Sequence, residues 1–126
     1  MKREILHRGK HFKSKKWIFG NFIMWWHDDN TKKFQPSICE LGNYPARVYV
    51  RSVGEYIGFD DINDKRIFEN DIVKAKFWGS ETYIIDQIVF VDGQFKLKST
   101  DIYAACAEYL EVIGNTFDNA EMLVLS

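Results

Sequence analysis

The 126 residues are 46% hydrophobic and 16% aromatic, enough apolar surface for one compact domain with its own core and too much for a disordered chain. No run approaches the roughly 18 consecutive apolar residues of a membrane-spanning helix, and Met1 to Arg8 lacks the apolar stretch that would make a secretory signal of its basic residues. A soluble, cytoplasmic protein with no membrane partner is therefore expected.

The net charge is −1, but it is unevenly placed: residues 1–33 hold nine Lys/Arg against three Asp/Glu, and residues 34–126 hold eight against fifteen. Such a split marks either a polyanion-binding face or two oppositely charged faces that meet, within one chain or between subunits. Cys39 and Cys106 do not form a metal pair by local spacing, and two buried thiols are expected rather than a disulfide.

Period-two alternation dominates the chain and helical periodicity is scarce. Glu4 to Arg8 reads as a short strand ended by Gly9. Lys16 to Trp26 reads as a long aromatic-rich strand, with Gly20 marking a bulge or a close backbone approach. His27 to Lys33 is a polar turn. Phe34 to Tyr44 reads as irregular, punctuated by Pro36 and Gly42, and Ala46 to Val53 returns to strand. Val53 to Val73 reads strand, polar turn, strand. Asp71 to Trp78 then alternates, with Val73, Ala75 and Phe77 expected to face the core. Thr82 to Val91 follows, and Asp92-Gly93 predicts a two-residue type I′ hairpin, because that turn needs positive φ at both positions. Gln94 to Lys98 pairs back, with Phe95 and Leu97 inward. Ser99-Thr100-Asp101 is a cap for a short helix over Ile102 to Tyr109 that would bury Cys106. Leu110 to Gly114 is a last strand, and Asn119 to Met122 a single helical turn.

The fold class expected is mainly β with minor α: an N-terminal antiparallel sheet packed with a C-terminal SH3-like small barrel, whose closure would remove exposed strand edges. The chain reads as a single domain over 1–126, with lobes at 1–60 and 61–126.

Three blocks resemble one known family. Arg3 to Lys10 with Trp17-Ile18-Phe19-Gly20, the central run Val53 to Val73, and Leu110 to Asn119 are together similar to the YopX family of phage and prophage proteins. The resemblance implies a β-rich fold and a phage or prophage setting in the host-cell cytoplasm, and it implies no reaction and no cofactor. The sequence departs from the family pattern at Asp64 and Asn70, where glycine is usual, and at Ile57, where threonine is usual. Asn and Asp are the non-glycine residues that best tolerate left-handed backbone, so the first two changes keep the turn geometry.

Candidate chemistry is sparse. The carboxylates Asp60, Asp61, Asp64, Glu69 and Asp71 fail the calcium-loop pattern, with Lys65 at the fifth position from Asp61 and no glycine at the sixth. Asp71 reads as a turn residue whose carboxylate accepts from nearby backbone amides. His27-Asp28-Asp29 are adjacent rather than converging from separate elements, and His7 and His11 have ligand spacing only on a helix. No nucleophile elbow or phosphate loop is present. No catalytic residue and no metal ligand is assigned.

The basic and aromatic N-terminal stretch is the best functional lead: Arg3, Arg8, Lys10, Lys13, Lys15 and Lys16, with Trp17, suit phosphate neutralisation and base stacking. Two functions compete. One is a non-enzymatic accessory role through protein–protein contacts and homo-oligomerisation with an unidentified protein partner. The alternative is single-stranded nucleic-acid binding through those seven residues.

Overall fold

The computed structural model describes residues 4–27 and 33–124. The chain divides into two units, Met1–Tyr56 and Ile57–Ser126. Among the described residues no helix is long and apolar enough to cross a membrane.

The first unit is an antiparallel sheet of β1 (His7–Lys10), β2 (Trp17–Trp26), β3 (Phe34–Cys39), β4 (Ala46–Arg47) and the start of β5 (Gly54–Asp60), in the order β4-β3-β2-β1-β5. β1 begins later than expected and runs through Gly9 instead of ending there. Val48 explains this residue: a Cβ at position 9 would lie 2.8 Å from the valine side chain, so only glycine lets that buried valine sit on the strand. Gly20 marks the close approach: a Cβ there would lie 2.3 Å from the Cys39 carbonyl oxygen.

The segment expected to be irregular is in fact β3, paired along its length with β2 from Asn21↔Cys39 to Trp26↔Phe34. Pro36 is tolerated because its carbonyl accepts from Val48 N at 3.0 Å. A residue's N–H and C=O point to the same side of a strand, so the missing donor faces away from β2. The strand expected over Ala46 to Val53 stops at Arg47. Val48 keeps a single bridge to His11, and Val50–Ser52 turns as a 3-10 helix. There the Ser52 hydroxyl accepts from Lys10 N at 2.7 Å and donates to Tyr49 O at 2.5 Å, a local bond that competes with a ladder.

The second unit contains the end of β5, β6 (Arg66–Phe68), β7 (Asp71–Phe77), β8 (Ile84–Val91), β9 (Gln94–Leu97), β10 (Ile102–Tyr103), β11 (Ala107–Asn115), α1 (Thr116–Asn119) and α2 (Glu121–Val124). Its five-stranded antiparallel sheet has the order β10-β9-β8-β7-β11. Ile57, Ile67, Val73, Ala75, Ile88, Leu97, Ala104 and Leu110 form its core, with Phe59, Phe77 and Phe95 packed at the edge. Ile57, the departure from threonine, is thus a core residue.

The turns follow the residue chemistry. Asp64 and Asn70 have φ of 61° and 73°, the left-handed values for which glycine was the alternative. Asp92 and Gly93 have φ of 53° and 78°, and Val91 pairs with Gln94 across them, as a type I′ hairpin requires.

The helix over Ile102 to Tyr109 is instead β10, a 3-10 turn at Ala104–Cys106 and the start of β11. Asp101 has φ of 59° and donates its N–H to Leu97 O at 2.8 Å, which makes it a turn residue and not an extended helix cap. Cys106 is consequently exposed rather than buried, and both cysteines are free thiols. The sheet also ends at β10 and β11, with no ladder closing it into a barrel among the described residues.

Candidate functional site

The first unit gathers the basic and aromatic residues around the turn between β1 and β2. His11 fixes this turn: its Nδ1 accepts from Lys13 N at 3.2 Å and Ser14 N at 2.9 Å, and Lys15 takes a left-handed φ of 63°. Lys13, Lys15 and Lys16 are exposed on it. Arg8 is buried, with its guanidinium carbon 4.6 Å from the Trp17 ring centre, and Lys10 Nζ lies 5.5 Å from the same ring. Lys15 folds back over Tyr49, 4.5 Å from ring centre to Nζ, and donates to the Tyr49 hydroxyl and to Phe12 O. Arg3 lies outside the described residues.

The structure therefore brings Arg8, Lys10 and Trp17 together as one stack and leaves Lys13 and Lys16 apart from it. Three residues outside those seven complete the cluster: Arg47 stacks on Phe12 at 4.2 Å, and Phe12 meets Tyr49 edge-on at 6.1 Å. These are cation–π contacts, and they occupy ring faces that would otherwise stack on bases.

The hairpin of β2 and β3 presents a second feature. Phe22, Met24 and Trp26 alternate along one face of β2, opposite Ile38, Pro36 and Phe34. Ile38 is fully buried, whereas the outer end is open: Met24 is 50% exposed, Trp26 47% and Phe34 58%. Trp26 and Phe34 meet edge-on at 5.4 Å. On the other face, Trp25 and His27 pack against Tyr44, and His27 Nε2 meets Ser37 Oγ at 2.8 Å. The alternation Phe34, Pro36, Ile38 was the available signal for this apolar face, and Pro36 hid it.

Asp61, Asp71 and Asp86 of the second unit accept from backbone amides. Asp61 accepts from Asn63 N, Lys65 N and Val112 N at 2.8, 2.9 and 2.8 Å. Asp71 accepts from Phe68 N at 2.7 Å, the turn role its position predicts. Asp86 accepts from Ser99 N, Ser99 Oγ and Gln87 N. It lines a cleft of about 740 Å³ with Tyr83, Ile84 and Ile85, but its oxygens are directed at these donors. Among the described residues no group of three His, Cys, Asp or Glu side chains is placed to hold a metal ion. Asp28 and Asp29 lie outside the described residues.

The sequence matches the YopX protein family over residues 7–124. The chain belongs to that family. The YopX match covers both units, with the second and third blocks of the resemblance whole and the first from residue 7 onward. The crystal structure of protein EF1440 from Enterococcus faecalis has a similar fold, with a TM-score of 0.60 at 20% identity, covering 97% of this chain and 99% of that one. At that identity the likeness shows the fold alone. No curated protein matches the sequence.

Proposed function

We propose that this YopX-family chain is a non-enzymatic phage or prophage accessory protein of the host-cell cytoplasm, acting through protein–protein contacts and self-association. One observation carries the reading: the open end of the β2–β3 face, where Met24, Trp26 and Phe34 expose apolar surface from both paired strands. Contiguous exposed aromatic surface on a sheet is characteristic of contact surfaces rather than of ordinary solvated faces. Charge supports contacts between copies. Met1–Tyr56 holds eleven Lys/Arg against five Asp/Glu, and Ile57–Ser126 holds six against thirteen, giving units of +6 and −7 that are complementary between molecules. The non-enzymatic part rests on Asp61, Asp71 and Asp86, whose carboxylates accept from backbone amides.

For the second unit the finer reading is an SH3-like small barrel, left open between β10 and β11. The strand order and the 3-10 turn between the last two strands support it.

Size-exclusion chromatography with light scattering, at low and high salt, tests self-association. A mass above the monomer that persists in high salt is expected for an apolar contact, and one lost with salt for a contact through the charge split. A monomer at every concentration and both salts overturns the reading.

Single-stranded nucleic-acid binding is the second reading, favoured by one observation: Lys13, Lys15 and Lys16 are exposed on a single turn beside Phe12 and Trp17. It ranks below the first because Arg8, Lys10 and Lys15 cover the Trp17 and Tyr49 rings. It predicts salt-sensitive retention of a labelled oligonucleotide, weakened by Lys15→Glu with Lys16→Glu. No retention at low salt removes it.

A further inference from the structure

We infer that the second unit takes up an extended peptide strand of a partner protein along the open edge of β8, in the cleft of about 740 Å³ lined by Tyr83 to Gln87 and by Lys98, Ser99 and Leu123. Successive side chains of a strand point to opposite faces. A cleft lined by five consecutive residues therefore runs along the edge of the strand, where the backbone itself is the surface.

Two bonds fix which backbone groups that edge presents. Asn70, the residue before β7, donates its N–H to Ile88 O at 2.8 Å, and Lys98 N donates to Gln87 O at 2.9 Å. Even-numbered residues of β8 thus direct their N–H and C=O towards β7, and odd-numbered ones away from it. Ile85 sits opposite Lys74 in the β7 ladder, but its own N–H and C=O point the other way, with Tyr83 next in phase. On that side the pairing with β9 ends at Ile88↔Leu97, and among the described residues no hydrogen bond reaches Ile85 from it. The cause is local. Asp86 accepts from Gln87 N at 2.8 Å and from Ser99 N and Ser99 Oγ at 3.1 and 2.6 Å. It takes the amide that would have continued the ladder and pins the chain leaving β9. Asp101, at a φ of 59°, then turns that chain into β10, so β9 stops before it can cover Ile85.

Proteins blunt an exposed edge with lysine, proline, a bulge or a very short strand. Tyr83-Ile84-Ile85-Asp86-Gln87 contains neither lysine nor proline, β8 runs for eight residues, and its pairing with β7 is continuous from Ile84 to Gln87. The occupant is extended backbone, because a strand offers N–H and C=O at the two-residue spacing of this edge. Tyr83 and Ile85, 48% and 38% exposed, lie on one face of β8 and Ile84 on the other. β-Branched or aromatic side chains on the incoming strand therefore meet apolar neighbours on both faces. Charge sets the flanks. Asp86 and Lys98 cancel within the cleft, and the unit holds six Lys/Arg against thirteen Asp/Glu, so Lys or Arg outside the paired stretch is favoured. The site uses none of Met24, Trp26 and Phe34, and it stands whether or not the chain self-associates through them.

The test is NMR of the full chain, reading amide exchange and chemical shift, alone and with the synthetic peptide Lys-Lys-Val-Thr-Val-Thr-Val-Lys-Lys. In dilute protein alone, Ile85 N–H is expected to exchange about tenfold or more faster than Ile84 and Asp86 N–H, which face β7. With the peptide, saturable shifts at residues 83–87 and 98–99 are expected, and exchange at Ile85 slows. The same peptide N-methylated through its Val-Thr core cannot donate backbone bonds and should bind about tenfold more weakly or worse. Ile85→Pro removes an N–H that has no partner, so the variant should fold and lose affinity to a similar degree, while Met24→Glu leaves affinity unchanged. The exchange pattern and the N-methylated peptide carry the test on the wild-type chain if Ile85→Pro does not fold. An Ile85 amide as protected as its neighbours in dilute protein, shifts that do not saturate, or equal affinity for the N-methylated peptide overturns the inference. Protection of Ile85 that rises with protein concentration alone makes the occupant a second copy and overturns the assignment to a partner peptide.

Discussion

Asp61 illustrates how much one carboxylate organises here. Its two oxygens take three backbone N–H groups, two inside the turn and one from Val112, 51 residues away. Charge-assisted bonds of this kind are the stronger class, and leaving their donors unmatched is costly. Asp61→Asn keeps the shape but turns an NH₂ group towards amide donors, and it should cost about 2 kcal/mol, read as a lower urea midpoint at unchanged slope. A wild-type midpoint would contradict the anchoring role. Tyr109 makes a different prediction. Its hydroxyl donates to Glu111 at 2.9 Å, and this bond raises its pKa above the ordinary 10.0. A raised folded-state value means that the contribution to stability is complete below the ordinary value and is lost as pH climbs through the folded one. Ultraviolet titration of the folded protein should lose one tyrosine that ionises above the ordinary range in Tyr109→Phe, and a high-pH phase of unchanged amplitude would contradict the assignment. The residue roles that could be read from sequence were local ones. Asp64, Asn70 and Asp71 declare themselves because turn chemistry needs only near neighbours. The bond from Asp61 to Val112 and the stack of Arg47 on Phe12 join distant segments, and no local pattern marks them.

Among the elements, the long aromatic strand and the Asp92-Gly93 hairpin were legible because alternation and positive-φ turn chemistry agree there. β3 was not, because Pro36 signals a break unless the side on which its missing donor falls is known. The helix expected over Ile102 to Tyr109 failed for a related reason. Ser99-Thr100-Asp101 carries cap residue types, but the left-handed backbone of Asp101 spends them on a turn. Gly20 is the most exacting position in the β2–β3 hairpin. A Cβ there meets a backbone carbonyl oxygen at 2.3 Å, which cannot rotate aside as a side chain could. Gly20→Ala should therefore cost about 3 kcal/mol and push the hairpin apart, whereas Gly93→Ala, with open space around it and only the φ of 78° to oppose it, should cost about 1–2 kcal/mol. Thermal or urea unfolding of the two variants checks the order, and equal losses would contradict the close-approach account.

At the scale of the molecule, the uneven charge seen along the sequence falls into a basic unit and an acidic one, and a fold shared with a protein at 20% identity shows how little of the sequence the scaffold demands. What the scaffold does not explain is the open apolar end of β2–β3. Burying Met24, Trp26 and Phe34 against a second copy would remove that surface from water, and each side chain so covered contributes on the order of 1 kcal/mol or more. The direct measurement is sedimentation velocity of wild type and Met24→Glu over a wide concentration range. The account predicts a wild-type sedimentation coefficient that rises with concentration and a folded Met24→Glu variant that stays monomeric. Identical, concentration-independent monomers would contradict it, as would a Met24→Glu variant that associates as strongly as the wild type.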